Sequence, residues 1–205
     1  MRLGVLGTGA VGQTLSVALL NLGHQVLVGS RTSPPATFAD AAAFGEVVLN
    51  CTAGMHSLDA LRMAGADPLA DKILIDVANP LDFSGGFPPR LSVTGEDSLA
   101  EQIQREFPNT RVVKALNTVT ASVMVDPGHL AEPTDLFIAG NNDDAKAEVR
   151  DLLTQFGWSA GRVRDLGGLE AARVIEAYLL MWVNLMGVLG SAEFNVRIVG
   201  DEATP

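Results

Sequence analysis

The stretch Leu3-Gly4-Val5-Leu6-Gly7-Thr8-Gly9-Ala10-Val11-Gly12 decides how this chain is read. Residues 3–6 are a short apolar run of the kind that forms a buried strand. The run passes directly into Gly7, Gly9 and Gly12, a G-x-G-x-x-G pattern. From there, 10–22 carries Val11, Leu15, Ala18, Leu19 and Leu22 along one helical stripe. Gly23 stands where a helix ends in a left-handed residue, and 25–29 reads as a second strand. Strand, glycine turn, helix and strand within about thirty residues make the βαβ unit of a parallel sheet. In that context Gly7 allows a tight turn, Gly9 lets a pyrophosphate approach the backbone, and Gly12 lets the helix lie close to the strand. Thr8, Ala10 and Val11 add backbone contacts at the helix start, where an anion is favoured.

The second strand ends in Val28-Gly29-Ser30-Arg31-Thr32-Ser33, and no acidic residue follows before Asp40. A carboxylate at this place commonly accepts hydrogen bonds from the adenosine ribose of NAD. Here a 2′-phosphate meets a guanidinium and three hydroxyls instead. A charge-assisted hydrogen bond contributes about 1.5–3 kcal/mol. The pattern predicts NADP(H) rather than NAD, with Ser30, Arg31 and Thr32 around the 2′-phosphate.

Strand-like and helix-like runs keep alternating. Helices are expected at 36–44, 56–64, 98–107 and 143–156, and strands at 46–51, 72–77, 111–115, 134–139 and 162–166. The proline- and glycine-rich 79–90 reads as a loop. This alternation predicts an α/β fold with a doubly wound parallel sheet of the Rossmann type. The run 170–189 differs, because it is apolar nearly all round and must be buried on most faces. A partner chain, a flat ligand or both would cover what one small domain leaves bare. The expected organisation is a dinucleotide-binding domain over 1–166 and a small C-terminal helical segment over 167–205. That segment would carry the second-substrate cleft and a homodimer contact around Tyr178, Trp182 and Met186. The apolar stretch 174–190 is short for a membrane span and contains Glu176 and Asn184, so no membrane role is expected.

Of the 205 residues, 47% are hydrophobic and 19% are charged, which fits a packed core and excludes a disordered chain. The net charge of −10 disfavours nucleic acid and anionic membranes as partners, so an anionic ligand needs a local positive site. Cys51 is the single cysteine, which precludes an intramolecular disulfide. Met1-Arg2 leads straight into a strand-like run, so no signal peptide and a cytoplasmic location are expected.

In such a fold the nicotinamide lies past the C-terminal ends of the central strands. Those ends are Cys51-Thr52-Ala53, followed by His56, then Ala78-Asn79-Pro80 and Leu116-Asn117-Thr118. Small and amide-bearing side chains suit a carboxamide and a flat ring, which makes Cys51, Thr52, Ala53, His56, Asn79 and Asn117 candidate contacts. His56 fits a surface histidine at a helix start equally well. Cys51 has no adjacent base to activate it. Lys114, inside a strand, pairs with a carboxylate or holds a ligand phosphate. No Ser-His-Asp order, metal-ligand cluster or carboxylate pair appears, so no catalytic and no metal-binding side chain is assigned. Hydride transfer between two bound cofactors needs alignment more than acid–base groups.

Further segments join the glycine run: Leu22-Gly23-His24-Gln25-Val26 with Gly29-Ser30-Arg31, Lys114-Ala115-Leu116-Asn117-Thr118, Gly140-Asn141-Asn142-Asp143, and Asp165-Leu166-Gly167-Gly168-Leu169-Glu170-Ala171-Ala172-Arg173. Together they resemble the NADPH-dependent F420 reductase family over nearly the whole chain. The resemblance implies hydride transfer between NADP(H) and coenzyme F420, a deazaflavin, or a related flat redox partner. It also implies homodimers formed through the C-terminal helices. The chain departs from archaeal members in the short segment between Arg31 and Glu46, in Asn117 where a histidine is frequent, and in Gly54-Met55-His56 where a bulkier turn is common. The alternatives are an NADPH-dependent reductase of a flavin, imine or ferric chelate, and a redox sensor that binds NADPH without turnover.

Overall fold

A computed structural model describes residues 1–32 and 36–200. Ser33, read above as a third hydroxyl for the 2′-phosphate, lies outside the described residues. The chain runs β1 (Arg2–Leu6), α1 (Ala10–Asn21), β2 (Gln25–Gly29), α2 (Phe38–Phe44), β3 (Val47–Asn50), α3 (Ser57–Ala64), α4 (Ala66–Leu69) and β4 (Ile73–Asp76). A ribbon of β5 (Leu81–Asp82) and β6 (Arg90–Leu91) follows. Then come α5 (Leu99–Glu106), β7 (Arg111–Lys114), α6 (Ala121–Val125), β8 (Leu136–Gly140), α7 (Asp143–Gln155), β9 (Val163–Asp165) and α8 (Ala172–Leu189). The ribbon interrupts what the sequence reads as plain loop. Both its strands and α6 are too short for a periodic signal.

Strand side chains alternate between two faces, and each face has its own core. Leu3, Val5, Leu49, Ile75 and Val113 pack with Leu15 and Leu19 of α1, Val123 of α6, and Val149 and Leu152 of α7. Leu6, Val48, Leu74 and Val112 pack with Ala41 of α2, Leu61 of α3 and Ile103 of α5. Each fully buried aliphatic side chain of this kind contributes about 1.5–3 kcal/mol.

The sheet order is β2-β1-β3-β4-β7-β8-β9. From β2 to β7 every neighbour is parallel, which is the doubly wound core the alternation predicts. Past it, β8 runs antiparallel to β7 with Val113 opposite Gly140, and β9 runs parallel to β8. A parallel crossover would need a helix long enough to carry the chain back along the sheet. The five residues of α6 span only about 7.5 Å. The chain therefore enters β8 from the C-terminal end of β7 and runs back beside it.

The turn and helix over Leu169–Leu189 are long and apolar enough to cross a membrane by length and composition. In the fold, Ile175, Glu176, Leu179 and Val183 of α8 are buried against the protein. Val174, Met181 and Val188 on the opposite face are exposed. Trp182 stacks on Phe194, with ring centroids 5.4 Å apart and planes at 18°. The segment after α8 folds back along β8, where the Asp135 N–H donates to the Val196 carbonyl at 2.9 Å.

Candidate functional site

The neighbours of β1 lie on opposite sides, β2 on one and β3 on the other, and the crevice at their C-terminal ends is where such a sheet takes a ligand. Gly7 leaves β1 at φ +120°, and a side chain there would strike the Cys51 carbonyl oxygen at 2.7 Å. A Cβ on Gly12 would lie 2.1 Å from the Gly7 oxygen, so α1 rests directly on the turn. A Cβ on Gly9 would meet nothing within 4 Å, which leaves the backbone open to a ligand. The start of α1 has no side-chain cap and no acidic residue in its first turn. Side chains cap α2, α5 and α7 through Thr37, Ser98 and Asn142, whereas α3, α4, α6 and α8 lack such a cap like α1, so what sets α1 apart is the glycine turn and open cleft in front of it. An uncapped helix N-terminus presents free amides and a positive dipole end, which is a local anion site in a chain of net charge −10.

A cleft of about 530 Å³ opens in front of this turn. Gly7, Thr8 and Gly9 line it from β1, Ser30, Arg31 and Thr32 from β2, and Cys51, Thr52, Ala53 and His56 from β3. Ten of the sequence-predicted residues thus meet in one place. Gly12 acts by packing, and Ala10 and Val11, the first residues of α1, are not part of the lining. The Ser30 hydroxyl donates to the Thr32 carbonyl at 2.6 Å, and the Ser30 N–H to the Ala36 carbonyl at 3.0 Å. These bonds fix the turn that sets Arg31 and Thr32, both exposed, at the cleft edge. Phe38, Ala60 and Met63 add an apolar wall that sequence reasoning missed. Ala60 and Met63 stand three apart on α3, a spacing that by itself reads only as helix surface. Asp59, also in the lining, is held by Arg62 at 2.8 Å. Burial pushes the Cys51 thiol well above its ordinary value and the charge of Asp76 adds to this, so the sulfur stays protonated at neutral pH.

Asn79 and Asn117 do not line that cleft. They pair with each other past the ends of β4 and β7, the Asn117 amide donating to Asn79 Oδ1 at 2.8 Å and the Asn79 amide to the Asn117 carbonyl at 2.9 Å. Leu116 lies in the left-handed region at φ 66°, a conformation costly for a branched side chain and often kept at functional sites. It turns Asn117 toward α8, where the amide also reaches the Ile175 carbonyl at 3.4 Å. The buried Asn117 Oδ1 and Thr118 Oγ1 have no hydrogen-bond partner among the described residues.

Below this pair, the two options for Lys114 resolve in favour of carboxylates. Its Nζ lies 2.8 Å from Asp76 Oδ2 and 3.0 Å from Glu176 Oε1, and it also donates to the Ala78 carbonyl. Asp76 accepts from the Asn50 amide at 2.8 Å. Glu176 accepts the Leu99 and Ala100 N–H groups at 2.9 and 3.2 Å, closing the N-terminus of α5. All three charged side chains are at most 1% exposed. Burial alone would depress the Lys114 ammonium, but Asp76 and Glu176 hold it above its ordinary value. The available signal was a charged residue in each of three apolar runs, at 76, 114 and 176.

Residues 2–80 match the family described as NADP oxidoreductase, coenzyme F420-dependent. An F420-dependent NADP reductase of Methanothermobacter marburgensis is 31% identical over 212 residues, covering 90% of this chain and 92% of that protein. The chain belongs to the F420-dependent NADP reductase family. Another relative of that name, from Methanocaldococcus jannaschii, is 27% identical over 98% of this chain and 100% of its own length. A crystal structure from Arthrobacter sp. FB24, assigned to the F420-dependent NADP reductases, is 48% identical with a TM-score of 0.93, covering 98% of this chain and 100% of that one. Within this family's chain, the matched 2–80 contain the whole β1–β3 cleft. Lys114 and Glu176 lie beyond it, in the part spanned by the full-length relatives.

Proposed function

We propose that this reductase transfers hydride between NADP(H) and coenzyme F420, with NADP(H) in the β1–β3 cleft and the deazaflavin against α8. The observation that carries the reading is the uncapped start of α1, which opens onto a cleft that also presents Ser30, Arg31 and Thr32. Gly7 shapes the turn, its own N–H donating to the Gly29 carbonyl at 3.0 Å, and the backbone N–H groups of Thr8 and Gly9 hold the pyrophosphate, helped by the amides of Ala10, Val11 and Gly12. Ser30, Arg31 and Thr32 hold the 2′-phosphate. Phe38 and Met63 face the adenosine. Thr52, Ala53 and His56 lead toward the nicotinamide, and Cys51 is a neutral wall. Asn79 and Asn117, held to each other past the strand ends, flank the carboxamide. Once bound, the two coenzymes supply the hydride chemistry, and the chain supplies alignment and a dry apolar flank.

Residues 1–166 form the cofactor-binding unit in this reading, and 167–205 the second-substrate and dimer segment. The exposed stripe of Val174, Met181 and Val188 on α8 supports a homodimer. Tyr178, Trp182 and Met186, around which the contact was expected, are partly covered within the chain, Trp182 by Phe194. The single cysteine fits a reducing cytoplasmic setting. The test mixes the protein with stereospecifically deuterated NADPH and oxidised F420, with a flavin as parallel acceptor. The label is expected to reach F420 from one face of the nicotinamide, with the flavin reduced far more slowly. NADPH oxidation by the flavin alone would replace this assignment.

A further inference from the structure

The Asp76–Lys114–Glu176 cluster contains two carboxylates and one ammonium, all buried, in a fold that could have packed apolar side chains there. Replacing buried ion pairs by well-packed apolar groups is often neutral or stabilising, so stability alone does not account for it. Its position is specific. Asp76 and Lys114 are the last residues of β4 and β7, and Lys114 holds the Ala78 carbonyl just before Asn79. Asn117 lies three residues beyond Lys114. On the other flank Asn50 bridges Asp76 to Thr52, whose hydroxyl donates to Asn50 Oδ1 at 2.7 Å. Thr52 lines the cleft. The cluster therefore sits beneath the strand ends that take the nicotinamide.

The charges do not cancel. Two carboxylates against one ammonium leave one negative charge, and the positive end of α5, worth about half an elementary charge, offsets part of it. We propose that this surplus negative charge beneath the strand ends biases the bound cofactor toward its oxidised form, whose nicotinamide ring is positively charged. NADPH becomes a stronger hydride donor on this protein, because the charge that develops on the ring as hydride leaves meets an oppositely charged floor. The field reaches the cleft wall: the charge of Asp76 is felt at Cys51.

This inference rests on the cofactor placement proposed above. The test measures the dissociation constants of NADP⁺ and NADPH by titration in the native protein, Asp76→Asn and Glu176→Gln, with melting curves to establish folding. Asp67→Asn, an exposed position on α4 that precedes β4, changes the net charge equally at the opposite end of the sheet. The native protein is expected to bind NADP⁺ more tightly than NADPH. Losing either carboxylate should move the affinity ratio about three- to tenfold toward NADPH, and Asp67→Asn should leave it unchanged. A ratio that moves less than about twofold in the folded variants overturns the proposal. If neither variant folds, tighter native binding of NADPH than of NADP⁺ overturns it. A native protein that binds neither form, or binds both with no dependence on Arg31, refutes the cofactor placement instead.

Discussion

Two helix N-termini face the same edge of the sheet and are built in opposite ways. That of α1 is left open: glycine at the cap, no acidic side chain in the first turn and clear space ahead of Gly9. That of α5 is closed twice over, by the Ser98 hydroxyl from beside it and by the Glu176 carboxylate from α8. Both ends carry the same positive dipole and the same unpaired amides. The difference lies in who supplies the anion. At α5 the protein supplies its own, and the helix is tied permanently to α8. At α1 the proposed pyrophosphate would supply it, replacing the solvent that reaches the exposed start of the helix.

The largest test breaks the closed end. Lys114→Met leaves two buried carboxylates without their cation and is expected to cost about 3–5 kcal/mol. For a chain of this size that lowers Tm by roughly 6–20 °C in scanning calorimetry, and a shift below about 2 °C would remove the contrast. At the open end Arg31→Ala is expected to weaken NADPH binding about 10- to 100-fold in calorimetric titration, with NADH affinity nearly unchanged. Stability should stay within about 0.5 kcal/mol, because Arg31 is exposed. An equal loss for both cofactors would move the 2′-phosphate away from Ser30, Arg31 and Thr32.

The smallest effect is expected past the end of α8, where a surface pair gives the scale against which the buried one is judged. His129 Nε2 lies 2.8 Å from Glu193 Oε2, and the Glu193 and Asp126 contacts hold the imidazole above its ordinary value of 6.5. A raised folded-state value means the contribution is fully present below about pH 6.5 and fades as pH climbs through the raised value. The protection of the amides around 191–196, taken relative to the intrinsic exchange rate at each pH, should fall slightly from about pH 6 to pH 8, and His129→Gln should flatten that slope.

What was legible in the sequence follows the same division. The open site is local: six residues from Gly7 to Gly12 and three at Ser30 to Thr32 specify a turn, a helix start and a charge. Ten of its residues meet in one cleft because each follows directly on a parallel strand end. The closed site is not local. Lys114 and Asp76 are 38 residues apart, and Glu176 reaches Leu99 across 77. No periodicity links them, and each alone reads as an odd charge in an apolar run. The antiparallel β8 escaped for a related reason: strand direction depends on whether the five residues of α6 can recross the sheet, not on the composition of β8. Asn79 and Asn117 were legible as strand-end residues, whereas their mutual pairing needed the left-handed turn at Leu116.

The stack of Trp182 on α8 against Phe194 beyond it gives the molecule an optical property of its own. The chain has two tryptophans. Trp158 is 2% exposed, with its indole N–H donating to the Met124 carbonyl at 2.9 Å. Trp182 lies half-buried against Phe194, with its indole nitrogen unpartnered among the described residues. One emitter is sealed in the interior and the other sits on the helix proposed to flank the deazaflavin. A conjugated ring settling along that helix is expected to quench the second more strongly than the first, so the intrinsic emission would report on which end of the molecule the ring occupies.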